Sequence, residues 1–407
     1  MVGMIRQRRR SGKRGLLALL AGAGAWTVCL AGLAPGAMAQ DAQSQQWYLK
    51  AMQAEEMWKV STGEGVKVAV VDSGVDSSTP ALQGQVLPGK DVSKLPGGTE
   101  TDKSGHGTTM AELIAGTGKA GSLKGLAPDV KIIPIRITLK GGGGTSDWDP
   151  LIAGIRAAAD TDAKIISMSV GNEAPDPYLS DAVKYATEKG KLLVAAAGND
   201  RKKRNSENFP AAYTNAVSVG ATDESGKVAN FSNSASHVDL AGPGTNLPGW
   251  CDEQRKSYCS GYRGTSAATA LTSASAALIW SKHPDWTANQ VLRVLMDTTG
   301  LSEKGGETSK YLGHGIVRPR ANLLDGEGDP GDPEISPLTD KRMGPPVKKK
   351  SSDSKNSDDA PDKVKVADSG SEGGDSNVLP VLGIGAGVVI LAGGAFAVAR
   401  MRRKSQP

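Results

Sequence analysis

Cysteine and histidine are scarce in this chain: 407 residues hold three of the first and four of the second. Neither later cysteine belongs to a Cys-x-x-Cys pair or has a histidine close by, which argues against a metal centre. No compact acidic loop marks a calcium site, so the expectation is metal: none and no cofactor required. Internal repeats at solenoid or propeller periods are missing, which excludes those architectures. No Gly-x-Ser-x-Gly elbow frames Ser266, which disfavours an esterase of the nucleophile-elbow type.

A surplus of positive charge is also missing where it would matter. The formal net charge is +5, but residues 1–39 carry six of the 48 basic residues and no acidic one. Without that stretch and the four basic residues after 399, 38 basic side chains face 43 acidic ones. Nucleic-acid binding therefore has no support from charge.

What is present at the two ends reads as trafficking. Arg6 to Arg14 form a basic cluster, Leu16 to Leu33 is mostly apolar, and Ala37-Met38-Ala39 is a small-x-small cleavage site. Residues 1–39 are therefore expected to be a secretory signal peptide. Residues 378–399 contain no charge and are followed by Arg400, Arg402, Arg403 and Lys404. At about 1.5 Å per residue such a run crosses a bilayer, and the basic tail at 400–407 stays inside. Between them, residues 325–377 are rich in Asp, Lys, Ser, Gly and Pro, and are expected to be a disordered tether. The expected location is the plasma membrane, single-pass, with residues 40–324 as a folded domain on the extracellular side. Cys29 lies in the signal segment, which leaves Cys251 and Cys259 as an even pair in an oxidising compartment. A disulfide between them is expected, two free thiols being the alternative.

The folded domain alternates apolar strands with helical stretches. Val66 to Val71, Lys131 to Ile137, Lys164 to Met168, Leu192 to Ala197 and Asn215 to Thr222 read as strands. Thr108 to Thr117, Asp149 to Ala159 and Leu179 to Glu188 read as helices, and Thr287 with Gln290 forms a capping box for a late one. Nearly continuous apolar strands between helices indicate an α/β fold with a mainly parallel sheet covered on both faces.

Four short stretches carry candidate chemistry. Asp72 follows a buried strand and precedes a glycine, where an N-cap or turn residue is the plain alternative. His106 stands between Gly105 and Gly107 at a loop-to-helix junction, where an ordinary surface histidine would also fit. Asn199 ends Ala197-Gly198-Asn199, as a turn residue or as an amide donor to an oxyanion. Ser266 follows Gly264-Thr265 into a run of small helix-compatible residues, as an N-cap or as a nucleophile in the positive field of a helix N-terminus.

The order Asp, His, Ser is the subtilisin order of the serine triad. Asp72-Ser73-Gly74-Val75-Asp76, His106-Gly107-Thr108, Ala197-Gly198-Asn199 and Gly264-Thr265-Ser266 match the blocks of the subtilisin family, which the chain resembles over residues 45 to 324. The resemblance implies a subtilisin-like three-layer fold and serine endopeptidase activity on protein or peptide substrates. It assigns the nucleophile to Ser266, the general base to His106, the orienting carboxylate to Asp72 and the oxyanion donor to Asn199. Ser169-Val170-Gly171 matches the substrate-pairing segment, and Asn208 stands at the floor of the pocket for the residue before the scissile bond. Calcium is common in that family, but the sequence gives no support for a structural calcium ion here.

More narrowly, the chain resembles the mycosins, membrane-anchored proteases associated with type VII secretion machinery. Gln46-Trp47-Tyr48-Leu49, Trp58 to Gly63, the cysteine pair and the terminal apolar run carry that likeness. Gln40 to Gly65 spans 26 residues, too few for an independently folded inhibitory prodomain. Two positions depart from the family: Ala270 stands where proline is usual, and Glu112 where glycine is usual. Alanine continues a helix well. A carboxyl at 112 needs solvent, a partner or a raised pKa. It also motivates a rival expectation, a catalytically silent scaffold that stabilises a membrane secretion complex. Arg201-Lys202-Lys203-Arg204 reads as an exposed charged loop or a contact for acidic substrate.

Overall fold

The computed structural model describes residues 42–138, 150–251, 255–300 and 308–342. The expected signal peptide, membrane span, basic tail and all of the tether beyond residue 342 lie outside these residues. Among those described, no helix is long and apolar enough to cross a membrane.

Two short helices come first, α1 (Trp47–Ala51) and α2 (Ala54–Trp58), then β1 (Lys67–Asp72), β2 (Lys90–Asp91) and α3 (His106–Ala115). The alternation continues with β3 (Lys131–Arg136), α4 (Pro150–Ala159), β4 (Ile165–Met168), α5 (Pro177–Glu188), β5 (Leu192–Ala196), β6 (Val217–Thr222) and β7 (Leu240–Pro243). A two-stranded hairpin of β8 (Leu247–Trp250) and β9 (Tyr258–Tyr262) leads into the long α6 (Thr265–Lys282), followed by α7 (Ala288–Asp297) and α8 (Pro319–Leu323).

The main sheet has seven strands in the order β2-β3-β1-β4-β5-β6-β7, and all of its pairings are parallel. Alternation within each strand divides the core. Val68 and Val70 of β1 point to one face, with Met110 and Leu113 of α3 and Leu271 and Leu278 of α6. Ala69 and Val71 point to the other face, with Ile152 and Ile155 of α4 and Val183 of α5. This is the three-layer α/β arrangement, and it follows from strands that are apolar on both sides.

α6 is buried on every side along almost its whole length, from Thr265 to Trp280. Its alanines, serines and threonines let it pass close beneath the sheet, so the chain carries a core helix of small residues rather than an amphipathic one. The residues before β1 pack on the domain as well. Trp47 Nε1 donates to the Thr245 carbonyl at 3.1 Å, and Trp58 Nε1 donates to the Leu126 carbonyl at 2.9 Å.

At the carboxyl end the structure corrects the expected boundary at 324. Residues 325–342 lie on the domain as a strap. The Pro333 carbonyl accepts from Thr287 Oγ1 and Asn289 Nδ2, each at 3.0 Å, and the Ile335 carbonyl accepts from Arg293 Nη2 at 2.8 Å. Ser336 is buried and Leu338 packs against the core. Composition misled here because the strap is held by polar side chains of α7 gripping its backbone carbonyls, which needs few apolar residues of its own.

Candidate active site

Asp72 is the last residue of β1, and His106 is the first residue of α3. Gly107 lets the two elements meet: a β-carbon there would stand 2.2 Å from the Gly74 carbonyl oxygen and 3.0 Å from Asp72 Cβ. His106 Nδ1 lies 2.7 Å from Asp72 Oδ1, the aspartate side chain 1% exposed and the imidazole 24%. Burial works against the charged imidazolium, but the charge of Asp72, its hydrogen bond and the charge of Asp102 together raise the His106 pKa above its ordinary 6.5. Asp72 Oδ1 also accepts from the Ser73 N–H at 2.7 Å.

Ser266 sits in the first turn of α6 and is buried, with 7% exposed. Its hydroxyl donates to the Ser169 carbonyl at 3.2 Å, while Ser169 Oγ donates to the Ser266 carbonyl at 3.1 Å. No hydrogen bond joins Ser266 to His106 in this state. Exposed Asn199 is tied to the same turn: its Oδ1 accepts from Thr265 N at 2.9 Å and from the Thr265 hydroxyl at 3.1 Å. Anchoring the amide through its oxygen leaves Nδ2 as the free end. A β-carbon built on Gly264 would stand 3.6 Å from Ser266 N and 3.8 Å from both Asn199 Nδ2 and Ser266 Cβ. Two N–H donors and the serine side chain thus border the same space over Gly264.

The substrate-contact candidates lie together. Asn208 donates from Nδ2 to the Ala196 carbonyl at 2.6 Å, and a β-carbon on Gly171 would stand 2.6 Å from its amide. Ser169 and Val170 continue from β4, and Asn172 forms an antiparallel bridge to Phe209. The backbone of Val170 and Gly171 pairs with no other described segment. The loop Arg201 to Arg204 is a turn in which Arg204 pairs with Glu173 and Arg201 lies over the Tyr311 ring, while Lys202 and Lys203 are exposed.

Glu112 is fully buried on the third turn of α3. Its Oε2 accepts from the Tyr258 hydroxyl at 3.0 Å. The Thr79 hydroxyl and the Trp250 indole N–H face the same carboxyl but stop short of good geometry, so these two groups and Glu112 Oε1 stay unpaired among the described residues. Burial dominates and pushes the pKa to about 8, against the lowering effect of those three neighbours. Trp250 stacks on Tyr258 at 4.0 Å, and the Cys251–Cys259 disulfide closes the hairpin beside that stack. Arg255 in the closed loop pairs with Asp76 and donates from Nη1 to the Asp102 carbonyl at 2.6 Å. Sequence reasoning singled out neither Asp102 nor this hairpin contact. An aspartate four residues ahead of His106, with Ser73 beside Asp72, was the available signal.

A fold of this kind with Asp72, His106, Asn199 and Ser266 so arranged is that of a subtilisin-type serine hydrolase. The model of the subtilase peptidase family (Peptidase S8) matches residues 63–317, well over half of the chain, and the chain belongs to that family. It is 36% identical over 240 residues to the major intracellular serine protease of Bacillus subtilis, covering 57% of this chain and 74% of the relative. It is 37% identical over 240 residues to thermitase of Thermoactinomyces vulgaris, covering 59% and 83%. Among solved structures it is similar to MycP1 of Mycobacterium smegmatis, at 26% identity and a TM-score of 0.59, with 70% of this chain and 86% of that one covered. The MycP3 protease of the type VII (ESX-3) secretion system matches at 29% identity and a TM-score of 0.58, covering 72% and 90%. The expected mycosin likeness thus stands in the structural neighbours.

Proposed function

We propose that the chain is an extracytoplasmic, membrane-anchored serine endopeptidase acting through Asp72, His106 and Ser266. With its proton on Nδ1 toward Asp72, His106 has Nε2 as the basic atom. That nitrogen takes the Ser266 proton as Oγ bonds to the scissile carbonyl carbon, and then delivers it to the departing amine. Water repeats the sequence on the acyl-enzyme, releasing the acid and restoring Ser266. The oxyanion formed in each half is held by Asn199 Nδ2 and the Ser266 N–H. The peptide adds as a strand along Ser169 to Gly171, with Asn208 flooring the neighbouring pocket. The scheme calls for no cofactor.

The observation that carries this reading is the space over Gly264, bounded by both donors and the Ser266 side chain. Anchoring and export are supported by residues 1–39 and 378–404 as read above, and a role in type VII secretion by the likeness to MycP3. Of the two motives for a silent scaffold, Glu112 and a retained anchor, the first weakens. Glu112 is engaged with Tyr258, and the charges acting on His106 are those of Asp72 and Asp102.

A fluorophosphonate probe is expected to label the full chain at Ser266 and to miss Ser266→Ala. Labelling should slow as pH falls, with a midpoint above 6.5, because only neutral His106 accepts the proton. A folded wild-type chain that takes no label refutes the reading.

A further inference from the structure

α3 begins at His106, and its N-cap Gly105 has no side chain with which to cap it. The first N–H groups of a helix must nevertheless find acceptors. Here they find them in two residues just ahead of the helix, Asp102 and Ser104, and in Ser73 from the end of β1. His106 N donates to Ser104 Oγ at 3.2 Å, Gly107 N to Ser73 Oγ at 3.1 Å and Thr108 N to Asp102 Oδ2 at 2.9 Å. Asp102 is 2% exposed and gathers most of the network. Its Oδ1 also accepts from Gly105 N at 2.9 Å and Ser104 N at 3.1 Å, and its Oδ2 from the Thr108 hydroxyl at 2.7 Å.

The Ser73 hydroxyl joins this carboxylate to the one at the catalytic end. It lies 2.8 Å from Asp102 Oδ1 and 3.1 Å from Asp72 Oδ1, so its single proton can serve only one of the two at a time. The Ser104 hydroxyl stands 2.8 Å from Ser73 Oγ and 3.1 Å from Asp102 Oδ1. A continuous chain of polar contacts therefore runs from Asp72 through Ser73 to Asp102 and back into the turn that carries His106.

We propose that Asp102 is a positioning residue for the Asp72–His106 pair, holding the first turn of α3 so that the imidazole faces Asp72. The inference rests on the protease reading. Two independent features support it. The acceptor geometry fixes the backbone of residues 104–108, where Gly105 and Gly107 beside the histidine bring no side chain of their own. The Asp102 charge, buried beside the site, also acts on His106 in the same direction as Asp72.

Asp102→Asn removes the charge and keeps only one acceptor oxygen, its NH2 facing N–H groups that the other oxygen serves in the wild type, so charge and half of the capping are lost together. In the full chain, kcat is expected to fall on the order of 10–100-fold with KM little changed, as misplaced catalytic groups cost. The acid limb of kcat/KM should move to lower pH. A second readout needs no activity: NMR titration of His106 in a Ser266→Ala background with and without Asp102→Asn. Only four histidines titrate, and burial lowers the pKa of His237, His283 and His314, so the raised His106 stands apart. A lower His106 pKa together with a lower kcat supports the proposal; wild-type values of both overturn it. If Asp102→Asn does not fold, the same readouts on Asp102→Glu decide, which keeps the charge but displaces the oxygens from residues 104–108, and an unchanged kcat there also overturns it. A wild type that takes no fluorophosphonate but whose His106 responds to Asp102→Asn refutes the protease reading and leaves the positioning role standing.

Discussion

Two buried carboxyl groups flank the helix that begins at His106, and they live in opposite circumstances. Asp102, at the amino end, accepts from three backbone N–H groups and from the hydroxyls around it. Glu112, two turns on, has the Tyr258 hydroxyl and two donors that do not quite reach. Burial is almost equal, at 2% and 0% exposed. The difference teaches that depth alone does not set what a buried carboxyl does: one is enclosed by donors, the other has too few of them and is pushed towards its neutral acid. Asp102 uses its charge to hold a catalytic turn. Glu112, pushed to about 8, is the protonated acid against which a disulfide-closed hairpin rests.

The sharpest way to test that contrast is to make Glu112 unable to ionise. Its pKa is raised in the folded state, so the stability it contributes is fully present below 4.5 and is lost as pH rises towards about 8. Chemical unfolding of the wild type should therefore lose up to roughly 4 kcal/mol across that window through this group. Glu112→Gln should remove that loss and be the more stable protein at pH 8. Asp239, pushed to about 7 by burial, slopes the same way in both proteins and cancels in the difference. Parallel stability curves for the two would break the comparison.

A smaller effect should follow from opening the hairpin. Replacing Cys251 and Cys259 with alanine removes a closure of eight residues' separation, costing about 2–3 kcal/mol in thermal unfolding. Arg255 of the closed loop touches Asp102 only at its carbonyl, and the bonds to the Asp102 carboxylate come from residues 73–108, so the His106 titration should move little. A shifted His106 would mean that the two regions are coupled. Smallest of all, Tyr258→Phe takes away the one good donor to Glu112. It should cost about 1 kcal/mol at pH 5 and move the loss of stability with rising pH to still higher values. No change in that midpoint would show that the hydroxyl does not act on the carboxyl.

Much of this molecule was legible in its sequence, for reasons that differ from place to place. Five of the seven parallel strands were readable because each is apolar on both faces, with bounds within two residues of the expected ones, whereas the short edge strands β2 (Lys90–Asp91) and β7 (Leu240–Pro243) were not foreseen. Thr287 and Gln290 do form the capping box, a signal contained within four residues. α3 starts at His106 rather than Thr108 because its first N–H groups are taken by Ser104 and Asp102 just ahead of it and by Ser73 from 34 residues away, and only the last of these lies beyond any local pattern. Glu112 was visible as an anomaly, but its partner Tyr258 is 146 residues away and could not be paired with it from sequence. The strap at 325–342 was misjudged because composition registers apolar burial and is blind to carbonyls held by another helix's side chains. The meeting of Ser266 with Ser169 is likewise a tertiary fact.

That strap has a mechanical side. It runs beside Leu192 and Val217, the amino ends of β5 and β6, where it closes a cavity of about 250 Å³ with Thr287, Ala288 and Leu292. Asp72 and Asn199 stand at the opposite, carboxyl ends of the strands. A pull on Arg342 is therefore taken up first by Thr287, Asn289 and Arg293 on the strap's carbonyls. The strap is thus joined to the domain at the amino ends of the strands, with the candidate chemistry at the other.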